Sequence, residues 1–132
     1  MNKLGVSTLE GKVHVFDMRT YHTENGYAGM SEPLGKATIW GVRHLPQNRD
    51  IMATMGGDGL MTLFKYNYPP QRVLKDGNEK PKGVAGYLEK INDKEIAQQP
   101  ISGLDWSPDK LGLLCMCGLD QTVKVVLVTK LN

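Results

Sequence analysis

Residues 39–65, IWGVRHLPQNRDIMATMGGDGLMTLFK, and residues 101–127, ISGLDWSPDKLGLLCMCGLDQTVKVVL, align without a gap at an offset of 62. Five positions are identical: Ile39/Ile101, Gly41/Gly103, Pro46/Pro108, Gly56/Gly118 and Asp58/Asp120. Most of the others keep their polarity, as Met61-Thr62-Leu63 does against Val123-Lys124-Val125. A shorter third copy lies 48 residues before the middle one, where Glu10-Gly11 matches Asp58-Gly59 and Phe16 matches Phe64. Repetition at this period implies a fold built from stacked equivalent units, each burying a face that it cannot bury alone.

Each copy reads as strand, tight turn, strand. In the middle copy Ala37 to Val42, Ile51 to Met55 and Leu60 to Tyr66 have strand character, with Asp-Gly between the last two. Both turn residues accept positive φ cheaply, which makes the pair a strong hairpin signal. The last copy repeats the order over Ile101 to Trp106, Leu113 to Cys117 and Thr122 to Thr129. The third strands share an apolar-polar-apolar-apolar pattern: Val13-His14-Val15-Phe16, Met61-Thr62-Leu63-Phe64, Val123-Lys124-Val125-Val126. Strict alternation means one wet face, so the extra apolar residue predicts strands covered on both faces, as in sheets packed one on another. Fourth strands are expected at Tyr27 to Ser31 and Val84 to Ile91, although residues 88–97 also read as a helical turn. The Pro-, Lys- and Gly-rich stretch 68–83 reads as an exposed inserted loop.

The 132 residues suffice for one ordinary domain. A formal net charge of +2, without a basic run, argues against nucleic acid or an acidic membrane surface as partner. No stretch approaches the roughly 18 apolar residues of a membrane helix, and residues 1–11 carry no apolar run of the signal-peptide kind. Cys115 and Cys117 are two residues apart on one strand, poor disulfide geometry, which points to reduced, half-buried thiols and a cytosolic setting.

No catalytic, cofactor or metal site is expected. His14, His22 and His44 have no metal-ligand spacing, and Cys115-Met116-Cys117 lacks the second pair that would fill four coordination positions. Ser102 and Ser107 have nearby aspartates but no histidine following them. Gly56-Gly57-Asp58-Gly59 joins two strands and opens no helix that could hold phosphate. Glu10, Gly11, Asp58, Gly59 and Asp120 are assigned to the turns, where the aspartates accept bonds from turn amides and from the preceding loop. Candidate partner contacts are Trp40 and the loop cations Arg72, Lys75, Lys80 and Lys82, accompanied by Asp76 and Glu79.

Units of this length with four strands each, and an acidic turn residue six positions before an aromatic, resemble the WD-repeat β-propeller family. The Trp-Asp pair of that family survives only as Phe16-Asp17; Phe64-Lys65 and Val126-Leu127 depart from it, so the full polar network of a WD blade cannot form. The resemblance implies an all-β fold, a partial WD-repeat propeller of just under three antiparallel blades. Residues 1–34 would form a partial blade, 35–98 a full blade with a loop inserted at about 67–83, and 99–132 a last blade lacking its outer strand. An isolated chain of this kind would leave two blade faces open and be poorly soluble or partner-dependent.

The segments 11–20, 42–49, 99–113 and 120–132 are similar, more narrowly, to WD-repeat axonemal dynein assembly factors. That resemblance implies a non-catalytic cytoplasmic adaptor. Its partners would be the RuvB-like ATPase co-chaperone complex and prefoldin-like subunits, with axonemal dynein heavy chains as clients. The family also carries a link to apoptosis, on which no residue here bears. From a different class, Tyr66, Tyr68 and Tyr87 beside the basic loop suggest an RNA-binding face by base stacking.

Overall fold

A computed structural model of the chain describes residues 2–75, 77 and 81–131. Every regular element among them is a strand: β1 (Lys3–Ser7), β2 (Lys12–His22), β3 (Gly26–Pro33), β4 (Ile39–His44), β5 (Ile51–Gly56), β6 (Leu60–Asn67), β7 (Val73–Lys75), β8 (Pro81–Gly83), β9 (Tyr87–Glu95), β10 (Ile101–Trp106), β11 (Leu113–Gly118) and β12 (Val123–Leu127). They form three antiparallel sheets, β1-β2-β3, β4-β5-β6-β9 and β10-β11-β12, plus the hairpin β7-β8.

The repeat in the sequence is a repeat in the backbone. Five loop hydrogen bonds of the middle sheet recur at the same offset in the last one. Leu45 N–H to the Ile51 carbonyl becomes Ser107 to Leu113, and Gly57 to Thr38 becomes Leu119 to Pro100. The other three are Ile51 to Asn48, Gly59 to Gly56 and Tyr66 to Asp50, matched by Leu113 to Lys110, Gln121 to Gly118 and Val128 to Gly112. Glycines of the repeat sit where this backbone tolerates little else. Gly41 and Gly103 follow a register shift, and a Cβ on either would press on the side chain across the strand pair, Met55 or Cys117. Gly59 has φ +83°, and a Cβ there would collide with the Ala97 carbonyl.

Packing sorts the faces. Ile51, Ala53, Met55, Met61 and Leu63 point from the middle sheet toward the last, against Leu104, Trp106, Leu114 and Met116. Met52, Phe64 and Tyr66 point the other way, against Val13 and Val15 of the first sheet. Strand β5 is buried at every position, so the middle sheet is covered on both faces. Each such Leu, Phe or Met contributes about 1.5–3 kcal/mol by leaving water. In the last sheet the same pattern yields only one covered face. Val123 and Val125 are 70% and 69% exposed, and the two cysteines are exposed rather than half-buried. Among the described residues nothing packs beyond them, so two-sided apolar character does not become two-sided burial.

The expected strands recur with shifts that have local causes. The fourth strand of the middle sheet runs Tyr87–Glu95, later than Val84 to Ile91, because Gly86 N–H is held by the Tyr66 hydroxyl at 2.7 Å and pairing begins only after it. Residues 88–97 are strand, not helical turn, as far as Glu95. The inserted loop is exposed but not structureless: it carries β7 and β8. Its Gly83 comes so close to the Tyr21 carbonyl of the first sheet that a Cβ there would not fit. Strand β2 continues past Phe16 to His22 through a register shift between Asp17 and Tyr21, where the Asp17 carboxylate accepts from Arg19 N–H and the Thr20 hydroxyl.

Candidate interaction surface

The turns come first, because they orient everything at one end of the sheets. Asp58 Oδ1 accepts from Leu60 N–H at 3.1 Å, and Asp120 Oδ1 accepts from Thr122 N–H at 3.1 Å. Asp120 also takes the Thr122 hydroxyl and Lys124 Nζ, and these bonds hold its carboxyl down to about 2. Gly11 has φ +76° and is buried against the Gly35 carbonyl. Glu10 does not repeat the aspartate role: its carboxylate lies 3.8 Å from Lys12 Nζ, while the turn amide of Lys12 is bonded by the Thr8 hydroxyl. Glu is one methylene too long to close on its own turn, and Thr8 supplies the acceptor instead.

At the opposite end, where β6 leaves the middle sheet, a polar cluster seals the junction with the first sheet. Lys3, buried, donates to the Asp50 carboxylate and the Tyr68 hydroxyl, and its ammonium lies 4.4 Å from the Tyr68 ring centroid and 5.0 Å from that of Tyr66. Burial works against the Lys3 charge, but the bonds to Asp50 and Tyr68 outweigh it and raise its pKa. Burial likewise works against ionised Asp50, and the Lys3 and Tyr68 bonds bring it below the usual carboxylate range. His44, pushed down by burial and then by the Lys3 charge, keeps a buried Nε2 without a hydrogen-bond partner among the described residues. Nothing in the sequence announced this cluster, since Lys3 and Tyr68 are 65 residues apart.

Arg72 lies over the Tyr68 ring at 5.8 Å and leads into the hairpin. There Leu74 pairs with Lys82 and Lys75 with Pro81, leaving Val73, Leu74, Lys75 and Lys82 exposed. A groove of about 530 Å³ runs between this hairpin and the first sheet, floored by Gly29 and Met30 and walled by Leu74, Lys75 and Lys82. Tyr21 and Tyr27, paired across β2 and β3, are exposed on the first sheet. The structure thus brings Arg72, Lys75 and Lys82 together beside apolar side chains. Lys80, Asp76 and Glu79 lie outside the described residues. Trp40 does not join them: it is half exposed on β4 beside Gly57, at the other end of the middle sheet. Tyr66, at 1% exposure, is closed to base stacking; Tyr68 and Tyr87 are exposed, but Tyr68 carries Lys3 and Arg72 against its ring. Among the described residues no three His, Cys, Asp or Glu side chains form a group able to hold a metal, and no helix is long and apolar enough to cross a membrane.

No protein-family model matches the chain. Curated relatives do. The chain is 55% identical over all its 132 residues to Dynein axonemal assembly factor 10 of Xenopus tropicalis and 54% identical to that of Homo sapiens. The protein of that name in Chlamydomonas reinhardtii is 50% identical over 133 residues. In each case the chain spans 37% of the relative's length. Among solved structures, the C-terminal WD40 domain of Sif2 superposes with a TM-score of 0.60 at 16% identity, over 96% of this chain and 31% of that one. The fold is that of WD40 blades, and the likeness to the assembly factors runs the whole length of the chain.

Proposed function

We propose that this WD40-fold chain is a non-catalytic interaction scaffold for axonemal dynein assembly, acting in the cytoplasm. Its three blade units, at 1–34, 35–98 and 99–132, would hold binding loops on a rigid frame. The observation that carries the reading is identity of 50–55% to proteins named as dynein axonemal assembly factors, extending over every residue of the chain. The hairpin supports it: cations beside exposed Val73 and Leu74 suit an acidic protein segment with apolar anchors. In this reading Trp40, Arg72, Lys75, Lys80 and Lys82 contact partners, and Asp58, Gly59, Asp120, Glu10 and Gly11 shape the turns. The partners are the RuvB-like ATPase co-chaperone complex and prefoldin-like subunits, and axonemal dynein heavy chains are the clients.

The test is affinity purification of the protein carrying this chain from ciliating cells, followed by mass spectrometry. Dynein heavy chains together with RuvB-like ATPases are the expected captures; neither above background rejects the adaptor. Reversing charge at Lys75 and Lys82 together should lower that capture several-fold if the hairpin is the contact. The RNA alternative has lost support, since Tyr66 is buried and both Lys3 and Arg72 occupy the Tyr68 ring. Salt-dependent binding of mixed RNA would restore it.

A further inference from the structure

Two strands end their sheets in equivalent places. β3 lies beside β2 as β9 lies beside β6, and β2 and β6 are copies at an offset of 48. The middle sheet has a neighbour on each face within the chain, and it still stops at β9. By the same rule β3 is the last strand of its own sheet, whatever stands before β1.

The two edges are finished differently. β9 reads YLEKINDKE, and its exposed Glu89, Lys90, Lys94 and Glu95 are the kind of charges that blunt an edge against added strands. β3 reads GYAGMSEP and carries no charge before Glu32. Its backbone direction follows from two turn bonds. Thr8 N–H donates to the Lys12 carbonyl, so Lys12, His14 and Phe16 bond toward β1. Leu34 N–H donates to the Gly11 carbonyl, so Val13, Val15 and Asp17 bond toward β3, to Glu32, Met30 and Ala28. Antiparallel pairing alternates, so Tyr27, Gly29 and Ser31 turn their N–H and carbonyl groups outward. Among the described residues no strand pairs with them.

Beside this edge runs the groove of about 530 Å³. Gly29 opens into it with no side chain to shield its peptide groups, and a Cβ there would strike the Phe16 ring. Leu74, Lys75 and Lys82 of the hairpin stand across from it, and no carboxylate lines the groove among the described residues. The hairpin leaves the middle sheet and closes on the first where Gly83 meets the Tyr21 carbonyl, so both walls lie within the chain.

We propose that this groove takes an acidic, extended segment of a partner protein, which adds to β3 as a further strand. Its main chain would pair with Tyr27, Gly29 and Ser31, its carboxylates would meet Lys75 and Lys82, and an apolar side chain would rest on Met30 and Leu74. This rests on the scaffold reading and names how the contact is made: backbone bonds hold the segment, and the hairpin cations select an acidic one over a basic one.

The test uses the protein carrying this chain and a fluorescein-labelled peptide of alternating valine and glutamate, about eight residues long, the size of a strand. Fluorescence anisotropy should show saturable binding, and a peptide of alternating valine and lysine should bind at least about tenfold more weakly. Ser31→Pro removes one outward N–H from an edge position that tolerates proline, and should weaken binding about three- to tenfold, the worth of one backbone bond. Ser31→Ala keeps that N–H and should bind as the unaltered protein does. Hydrogen exchange gives a readout that needs no variant. With peptide bound, the amides of Tyr27, Gly29 and Ser31 should exchange several-fold more slowly, while those of Ala28, Met30 and Glu32, already paired, should not change.

No binding of the valine–glutamate peptide up to about 1 mM, equal binding of both peptides, or unslowed edge amides overturns the proposal. So does edge protection that appears in concentrated protein without peptide, which would mean that a second copy fills the groove. If reversing Lys75 and Lys82 lowers partner capture while Ser31→Pro leaves peptide binding unchanged, the scaffold reading stands and strand addition fails. Peptide binding that depends on the Ser31 amide, in a protein that captures neither dynein heavy chains nor RuvB-like ATPases, would instead keep the groove and reject the scaffold reading.

Discussion

Sheet β4-β5-β6-β9 and sheet β10-β11-β12 share five loop hydrogen bonds at an offset of 62, yet Leu63 is 3% exposed and its twin Val125 is 69% exposed. The same backbone is therefore built without the same burial. What the two sheets have in common is turn chemistry: a glycine at the register shift, a glycine under an aspartate, and that aspartate on the amide two residues on. The repeat is specified locally. Packing then adds stability only where a neighbouring sheet exists to receive it.

This difference predicts the largest mutational contrast in the molecule. Leu63→Ala should cost about 2–5 kcal/mol, since it opens a cavity among Ile51, Met61 and Leu114. Val125→Ala, at the equivalent and exposed position, should change stability by no more than about 0.5 kcal/mol. Urea denaturation at low protein concentration measures both. Equal losses at the two sites would mean that Val125 is covered after all.

The two junctions between sheets also differ. His44 and Asp50 have Trp106 and Gly112 as their counterparts, so the charged cluster at the first junction is replaced at the second by an indole that packs in the core and donates its N–H to the Arg43 carbonyl. Asp50→Ala strips the buried Lys3 of its carboxylate and should cost about 1–3 kcal/mol, discounted because Asp50 itself is partly exposed. Asp50 has a lowered pKa, so its contribution is present above about 3.8 and is lost as pH falls through the folded value. Lys3 has a raised one, so its share is present below about 10.5 and is lost as pH climbs through the folded value. His44 has a lowered pKa, so the unfolded chain takes up its proton first, and stability should decline as pH falls below about 6.5. His44→Phe should flatten that decline between pH 7 and 5, with Lys3 and Asp50 the charged groups facing it. An unchanged slope in the variant would remove His44 from the account.

A smaller contrast lies in the turns. Gly59 and Gln121 occupy the same place, with φ +83° and +64°. Gly59→Ala meets both the left-handed penalty and the Ala97 carbonyl, and should cost about 1–3 kcal/mol. Gln121→Gly should instead stabilise by about 0.5–1 kcal/mol, because glycine adopts this conformation without a Cβ penalty. Thermal melts of the pair test both signs at once.

The sequence disclosed most of this frame because turns are local. Asp58-Gly59, the loop prolines and the strand periodicity can be read from a few neighbours each, and β10 falls on the expected residues. Strand β9 was displaced because it is an edge strand with only Leu88 buried, so its composition carries almost no periodic signal. The hairpin β7-β8 was invisible for a related reason: three-residue strands with exposed side chains look like any polar loop. The groove was half legible. Its cations stood out as a charged loop, whereas Gly29 and Met30 came to it only through the packing of the hairpin on the first sheet, which no local pattern shows. The Lys3 cluster depends on contacts over 47 and 65 residues, which no local pattern records.

The finest distinction between the two sheets concerns their shared aspartates. Among the described residues Asp58 receives a single amide, from Leu60, whereas Asp120 receives the Thr122 amide, the Thr122 hydroxyl and the Lys124 ammonium. Position 60 is leucine and position 62 threonine, so the middle turn has no hydroxyl at the first site and no cation at the second. The carboxyl of Asp120 should therefore titrate near 2 by NMR. Lys124→Met should raise that value toward 3.8 without melting the turn, because Thr122 still holds the carboxylate by two bonds. Thr122→Leu, which copies the middle turn, should raise it further, since the hydroxyl is the largest single cause of the depression. An Asp120 titration that ignores both substitutions would mean that the turn backbone alone sets it, and the two aspartates would then be equivalent.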